Sequence, residues 1–399
     1  MGTAMSATLL PVAEAQRRLL AMAPRLAGET VSLAHAAGRW TAEPVFARRA
    51  QPAADLSSMD GYAIRFADLP GPWRVVGESA AGRPFAGPIA AGEAARVFTG
   101  AAMPAGADSV LVQEEAALNA DALTLAGEGP PRRGMSVRRK GLDFGEGDTL
   151  IAAGERLTPA RIALAATGGH GALAVNRRLR IAILATGDEL IAPGTASADP
   201  LALPEGNSAM LAAMLADLPV EATLLGIVPD RLDALTGTFA AAQADIVVTT
   251  GGASVGDHDL VRPALEAAGG SIDFWRIAIR PGKPMLAGRL GDAVVLGLPG
   301  NPVSAFVTAT LFLRPLIAAM AGAADPLPKT LTAMLAEPLP ANDHRQDYLR
   351  ATVAGRVAMA AIQDSSMLAT LARADCLIVR PPHAPAAQIG DPVEIVTLA

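Results

Sequence analysis

Residues 245–259 read DIVVTTGGASVGDHD. The apolar run Ile246–Val248 passes into Thr249 and Thr250, then the pair Gly251–Gly252, and closes on Asp257, His258 and Asp259. A short continuous apolar run ending at glycines is the pattern of a strand buried on both faces. Leu260–Ala268, which follows, has helical length and texture. The paired glycines allow positive φ and close approach of a ligand to the backbone. Taken alone, the motif fits two readings equally well. One is a ligand loop with waiting carboxylates at the carboxyl end of a strand, where open α/β sheets bind. The other is a tight turn with two helix-capping acids.

Working outward, the same grammar recurs from about Arg177. Ile181–Leu184, Glu221–Val228, Asp245–Thr250 and Ala293–Leu298 read as strands; Asn207–Leu218, Leu232–Ala242, Leu260–Ala268 and Pro302–Met320 read as helices. Buried strands alternating with helices predict a parallel sheet covered on both faces. Upstream, Val12, Ala15, Leu19 and Leu20 mark one amphipathic helix. Between Gln51 and Gly145, short apolar runs (Trp73–Val76, Ala95–Phe98, Ser109–Val112, Ala122–Leu125) alternate with Gly/Pro turns, the signature of a small β insertion. Thr158–Thr167 reads as a helix with Pro159 in its first turn. From about Pro326 the chain returns to short β runs such as Leu377–Val379 and Val393–Val396.

The 399 residues exceed one typical domain. A 51% hydrophobic content supplies real cores, whereas 33 basic against 39 acidic residues argue against nucleic-acid binding. The single cysteine, Cys376, excludes an intrachain disulfide and fits a reducing compartment. The most apolar stretch, 308-TATLFLRPLIAAM-320, is broken by Arg314 and Pro315, and the N-terminus lacks a signal-peptide pattern. A cytoplasmic protein without membrane partners is expected.

Other stretches offer chemistry. In 185-ATGDELIAPG-194, Asp188 and Glu189 follow a strand, and Asp230 follows the next one. Acids delivered to one sheet edge suit a hard cation, although each alone reads as a turn or cap. In 274-FWRIAIRPGKPML-286, a single strand would place Arg276 and Arg280 on one face, roughly 13 Å apart, with Lys283 returned beside Arg280 by the Pro-Gly turn. A solvated strand edge is the bland reading. In 298-LPGNPVSAF-306, Asn301, Pro302 and Ser304 begin a helix whose N-terminus could hold an anion. The β insertion adds Asp60 in 57-SSMDGYAIR-65, Thr99 in 98-FTGAAMPAGAD-108 and Asp143 in 136-SVRRKGLDFGEGD-148. No histidine pair has zinc-ligand spacing, and Cys376 reads as a core thiol.

In order along the chain, SMDGYA, TG before a Pro-Gly turn, VRRKGLD, TGDEL, TTGGASVGDHD, FWRIAIRPGKP and LPGNPVSA together resemble the bacterial MoeA family, related to the C-terminal region of gephyrin. The resemblance implies an α/β multidomain homodimer. Its expected parts are an N-terminal helix and linker segment (1–48), an inserted β domain (49–146) and a return segment of an elongated linker domain (147–176). A parallel-sheet α/β molybdopterin-binding domain (177–325) and a C-terminal β domain (326–399) follow. The cleft would lie where one subunit's insertion faces the other's α/β and C-terminal domains.

The implied reaction inserts molybdate into adenylylated molybdopterin, with Mg²⁺-dependent release of AMP. By motif position, Asp259, Asp60, Thr99 and Asp143 would be catalytic. Glu189, Asp230 and Asp259 would hold Mg²⁺. Thr250, Gly251, Gly252, Ser254, Arg276, Arg280, Lys283, Ser304, Arg350 and Ser365, or Ser366 in its place, would bind substrate. The adenylyltransferase of the preceding step and cofactor-accepting enzymes are the implied partners. The family's usual lysines are replaced by Arg276 and Arg280, which changes hydrogen-bond geometry, and Leu142 replaces an acid before Asp143. The alternatives are the preceding adenylyltransferase itself and a gephyrin-like scaffold without catalysis.

Overall fold

The computed structural model describes residues 9–24, 26–252 and 260–398. Its central element is a six-stranded sheet. Val220–Val228, Leu179–Thr186, Ile246–Thr250 and Ala293–Leu298 lie side by side in parallel; Leu286–Leu290 and Ser271–Trp275 then continue the sheet antiparallel. The sheet is therefore mixed at one edge, where the sequence suggests only parallel strands. The Gly291–Asp292 turn joins Leu286–Leu290 to Ala293–Leu298 as a hairpin, too short for a crossover helix.

Strand alternation divides the core. Ile181, Ile183, Ile246, Val248, Val294 and Leu296 pack on one face with Val12, Ala15 and Leu19 of the N-terminal helix and with the 302–320 helix. Leu184, Val247 and Val295 pack on the other face with Leu235, Phe239, Val261 and Leu265. Ile246–Thr250 and Ala293–Leu298 are buried throughout, as strands covered on both sides must be. Val220–Val228 is instead largely exposed at the sheet edge.

The helix at Pro302–Met320 is the described segment long and apolar enough to cross a membrane, but it is mostly buried in the protein core. A π-turn at Ala309–Leu313 interrupts it. Pro315 has no N–H to offer the Leu311 carbonyl, and Gln16 of the N-terminal helix donates to that carbonyl at 2.9 Å.

A second six-stranded sheet gathers Gly61–Ile64, Trp73–Ser79, Glu93–Val97, Ser109–Val112, Ala116–Asn119 and Ala122–Leu125 around Trp73, Ile64 and Leu111. A third contains Leu331–Met334, Gln346–Ala354, Cys376–Arg380 and Pro392–Thr397. Its first strand is Ile279–Arg280, contributed by the segment that leaves the central sheet. The single strand expected over 274–280 is therefore two strands in two sheets. The chain departs from the central sheet at Arg276, whose φ of 79° is incompatible with an extended run. Arg276 and Arg280 do not share a strand face.

Candidate active site

A cavity of about 650 Å³ opens at the carboxyl ends of the parallel strands. Thr186 and Gly187 end one strand at its wall, and Thr250, Gly251 and Gly252 end the next. Gly251 has φ +88°, and a Cβ there would stand 2.3 Å from the Thr186 carbonyl oxygen. Only glycine fits this crossing of two backbones. Thr250 is buried at the strand tip beside it.

Glu189 and Asp230 both line the cavity. The Thr186 hydroxyl donates to Asp230 Oδ1, and the Asp230 N–H donates to Asp188 Oδ1 at 3.1 Å. Asp188 thus braces the loop that carries Asp230. Asp257, Asp259 and Ser254 lie outside the described residues. Among the described residues, no cluster of three His, Cys, Asp or Glu side chains has metal-binding geometry. The pair Glu189 and Asp230 still suits Mg²⁺ by donor chemistry, because that ion takes one or two carboxylates and completes its shell with water and substrate phosphates.

Sequence reasoning missed several wall residues. Glu205 is buried; its Oε1 accepts the Ser208 N–H at 2.9 Å, capping the Asn207–Leu215 helix. Asn207 donates to the Gly300 carbonyl at 2.7 Å and ties this loop to the next wall. An acid placed just before an apolar helical run, as in 204-PEGNSAM-210, was the available signal. Leu190, Leu203, Pro204 and Leu368 supply apolar wall, and none of the described lining residues is Lys or Arg.

Ser304 lies in the first turn of the Pro302–Thr308 helix and lines the cavity. The C-terminal β unit reaches it there: the Val303 N–H donates to the Ser365 carbonyl at 3.2 Å and Asn301 Nδ2 to Ser365 Oγ at 3.0 Å. Ser365 is thereby a docking residue, while Ser366 lines the cavity and donates its hydroxyl to Asp364 at 2.6 Å.

The basic residues are placed differently. Lys283 is exposed beside the wall residue Pro284 and makes no ion pair among the described residues. Arg280 is held by Asp347, Asp343 and Asn342. Arg350 is 1% exposed and, among the described residues, has no carboxylate in hydrogen-bond contact. Its guanidinium donates to Gln363 Oε1 and to the Met367 and Ile362 carbonyls, bracing the loop that bears Ser365 and Ser366. Burial pulls its pKa down. Arg276 is half-buried where the chain changes sheets.

Asp60, Thr99 and Asp143 lie in the β insertion, and none of them lines the cavity. Asp60 and Thr99 nonetheless form a built pair. Asp60 Oδ1 accepts the Thr99 N–H at 2.7 Å and its hydroxyl at 2.9 Å, and these bonds hold the Asp60 pKa below the ordinary carboxylate value. Asp143 is exposed, its N–H bonded to the Gln51 carbonyl at 2.9 Å.

Comparison with known proteins places this geometry. Three family models match in succession: the MoeA N-terminal region (domain I and II) over 10–169, a probable molybdopterin binding domain over 182–319, and the MoeA C-terminal region (domain IV) over 332–398. A molybdopterin molybdenumtransferase of Haemophilus influenzae is 39% identical over 301 residues, 74% of this chain and 73% of that protein. One from Nostoc is 37% identical over 308 residues, 74% of this chain and 70% of its own. A crystal structure of the molybdopterin biosynthesis protein MoeA from Pyrococcus horikoshii superposes with TM-score 0.83 at 26% identity, covering 98% of this chain and all of that one (100%).

Proposed function

The chain belongs to the MoeA family, and from that premise we propose that it inserts molybdate into adenylylated molybdopterin with Mg²⁺-dependent release of AMP. It is a transferase of molybdenum cofactor biosynthesis. The observation that carries the finer reading is the convergence of Glu189, Asp230, Thr250, Gly251, Gly252 and Ser304 on one cavity at the strand tips.

In this reading the glycine pair lets the flat heterocycle lie against backbone, and Leu190, Leu203 and Leu368 exclude water from it. The described walls carry carboxylates and no cation, so a phosphoanhydride would enter against like charge. Glu189 and Asp230 would hold Mg²⁺, which supplies the missing positive charge to the phosphate oxygens when bound. Thr186, by donating to Asp230, fixes one of those carboxylates. Asp259 is proposed at the anhydride. Lys283, Ser304 and Ser366 are proposed around molybdate, a dianion that needs several donors and a cation. Asp60, Thr99 and Asp143 would be contributed by the second copy of a homodimer. A cytoplasmic location fits the single buried thiol.

The test is AMP release from adenylylated molybdopterin. Release should require both molybdate and Mg²⁺, and molybdopterin with MgATP should give no adenylylated product. Formation of that product without AMP release would assign the preceding step instead.

A further inference from the structure

We propose that Arg280 is a positioning residue, a guanidinium clasp that fixes the C-terminal sheet to the turn forming one cavity wall, and not itself a ligand for the oxyanion. The inference rests on the proposed oxyanion pocket for one of its two readouts only.

Arg280 sits opposite Asp347 in the parallel pairing of Ile279–Arg280 with Gln346–Ala354. Nε donates to Asp347 Oδ1 at 2.9 Å and Nη2 to Asp347 Oδ2, so the fork is bidentate. Nη1 reaches Asp343 at 3.3 Å, and Nη2 also reaches Asn342 at 3.2 Å. Little donor capacity is left for a bound anion. Asp347 is 4% exposed and is ion-paired with Arg280. A buried carboxylate needs such a partner, which makes the pairing costly to exchange. Asn342 also donates to the Arg345, Arg380 and Pro381 carbonyls, so the cluster is anchored across the C-terminal unit.

From Arg280 the chain runs directly into the wall. Gln346 N–H donates to the Ala278 carbonyl at 2.9 Å and Ile277 N–H to the Lys283 carbonyl at 3.1 Å, closing the 277–283 turn. A Cβ on Gly282 would stand 2.6 Å from Thr308 Cγ2. Thr308 in turn donates to the Ser304 carbonyl at 2.7 Å. Pro284 and Ser304 face the cavity, and Lys283 lies between Gly282 and Pro284. The fork therefore sets the place of the exposed ammonium without touching the ligand. Lysine at 280 would keep the charge and lose the bidentate geometry.

Arg280→Lys, Asp347→Asn and the double variant separate the roles in the full-length protein. Amide hydrogen exchange over 277–283 and 346–350 should quicken about tenfold in each single variant, with no further gain in the double. The dissociation constant for molybdate alone should rise about fivefold in both. Asp347→Asn is the decisive arm, because it removes a negative charge and frees the guanidinium. Tighter molybdate binding in that variant, with weaker binding in Arg280→Lys, would make Arg280 a ligand and overturn the proposal. Unchanged exchange in both singles would overturn it equally. If wild-type protein bound no molybdate, the proposed function would fail, and exchange would still decide the clasp.

Discussion

Gly251 carries the strictest steric demand of any residue at the proposed site. Its φ of +88° alone disfavours any side chain, and the added methyl would also overlap the Thr186 carbonyl. Gly251→Ala should lower stability by about 1–3 kcal/mol and push the Thr186 and Thr250 strand tips apart. The checks are the thermal unfolding midpoint and the affinity for the proposed adenylylated substrate; both should fall, and a variant matching wild type in both would remove the backbone-approach argument. This residue was legible because the requirement is local: a buried strand that stops at two glycines admits few structures. Glu205 and Asn207 were not legible in the same way. The loop that leads to them, 192-APGTASADPLALPEG-206, has no period, and tertiary contacts give it a place: the pairing of Leu203–Pro204 with Leu190–Ile191 and the bond from Asn207 to Gly300. Arg280 was readable as a cation but not as a clasp, since its partner lies 67 residues away in the chain, on the neighbouring strand of the C-terminal sheet.

At the scale of elements, the foot of the central sheet is fastened by Asp245. Its carboxylate accepts both Arg177 Nη1 and Nη2 at 2.7 Å and the Arg180 N–H at 2.8 Å, while its carbonyl accepts the Val294 N–H at 3.0 Å. One residue thus sets the register of Leu179–Thr186, Ile246–Thr250 and Ala293–Leu298. Burial alone would raise its pKa, but the hydrogen bonds from Arg177 and Arg180 outweigh that and hold it at about 2. A folded pKa below the unfolded value stabilises the fold above about pH 4, and the contribution fades as pH falls through 2. Near neutrality it amounts to about 2 kcal/mol. Asp245→Asn should lose that stability at pH 7, and its deficit against wild type should shrink by about half by pH 3 in urea unfolding. A deficit constant with pH would show that shape, not charge, matters there. Alternation of apolar residues made these strands readable. The break at Arg276 was not, because a positive φ at a non-glycine residue leaves no mark in the pattern of side chains.

At the scale of the whole molecule, the proposed chemistry is split. Every described residue lining the cavity comes from position 186 onward, while the Asp60–Thr99 pair stands on the β insertion. Met59 and Leu142, beside Asp60 and Asp143, are 44% and 68% exposed, an apolar cost that contact with another surface would offset. A two-fold dimer that sets each insertion over the other copy's cavity would complete both sites at once. Such sharing is testable without a structure of the dimer. Asp60→Asn and Glu189→Gln should each abolish AMP release alone. Unfolded together and refolded as a mixture, they should recover about a quarter of wild-type activity, because half the dimers pair unlike chains and each such dimer has one intact site. If each site were built from one chain, no mixture would recover anything, since every site would carry one defect. Recovery therefore reports directly on whether the insertion serves its own cavity or its partner's.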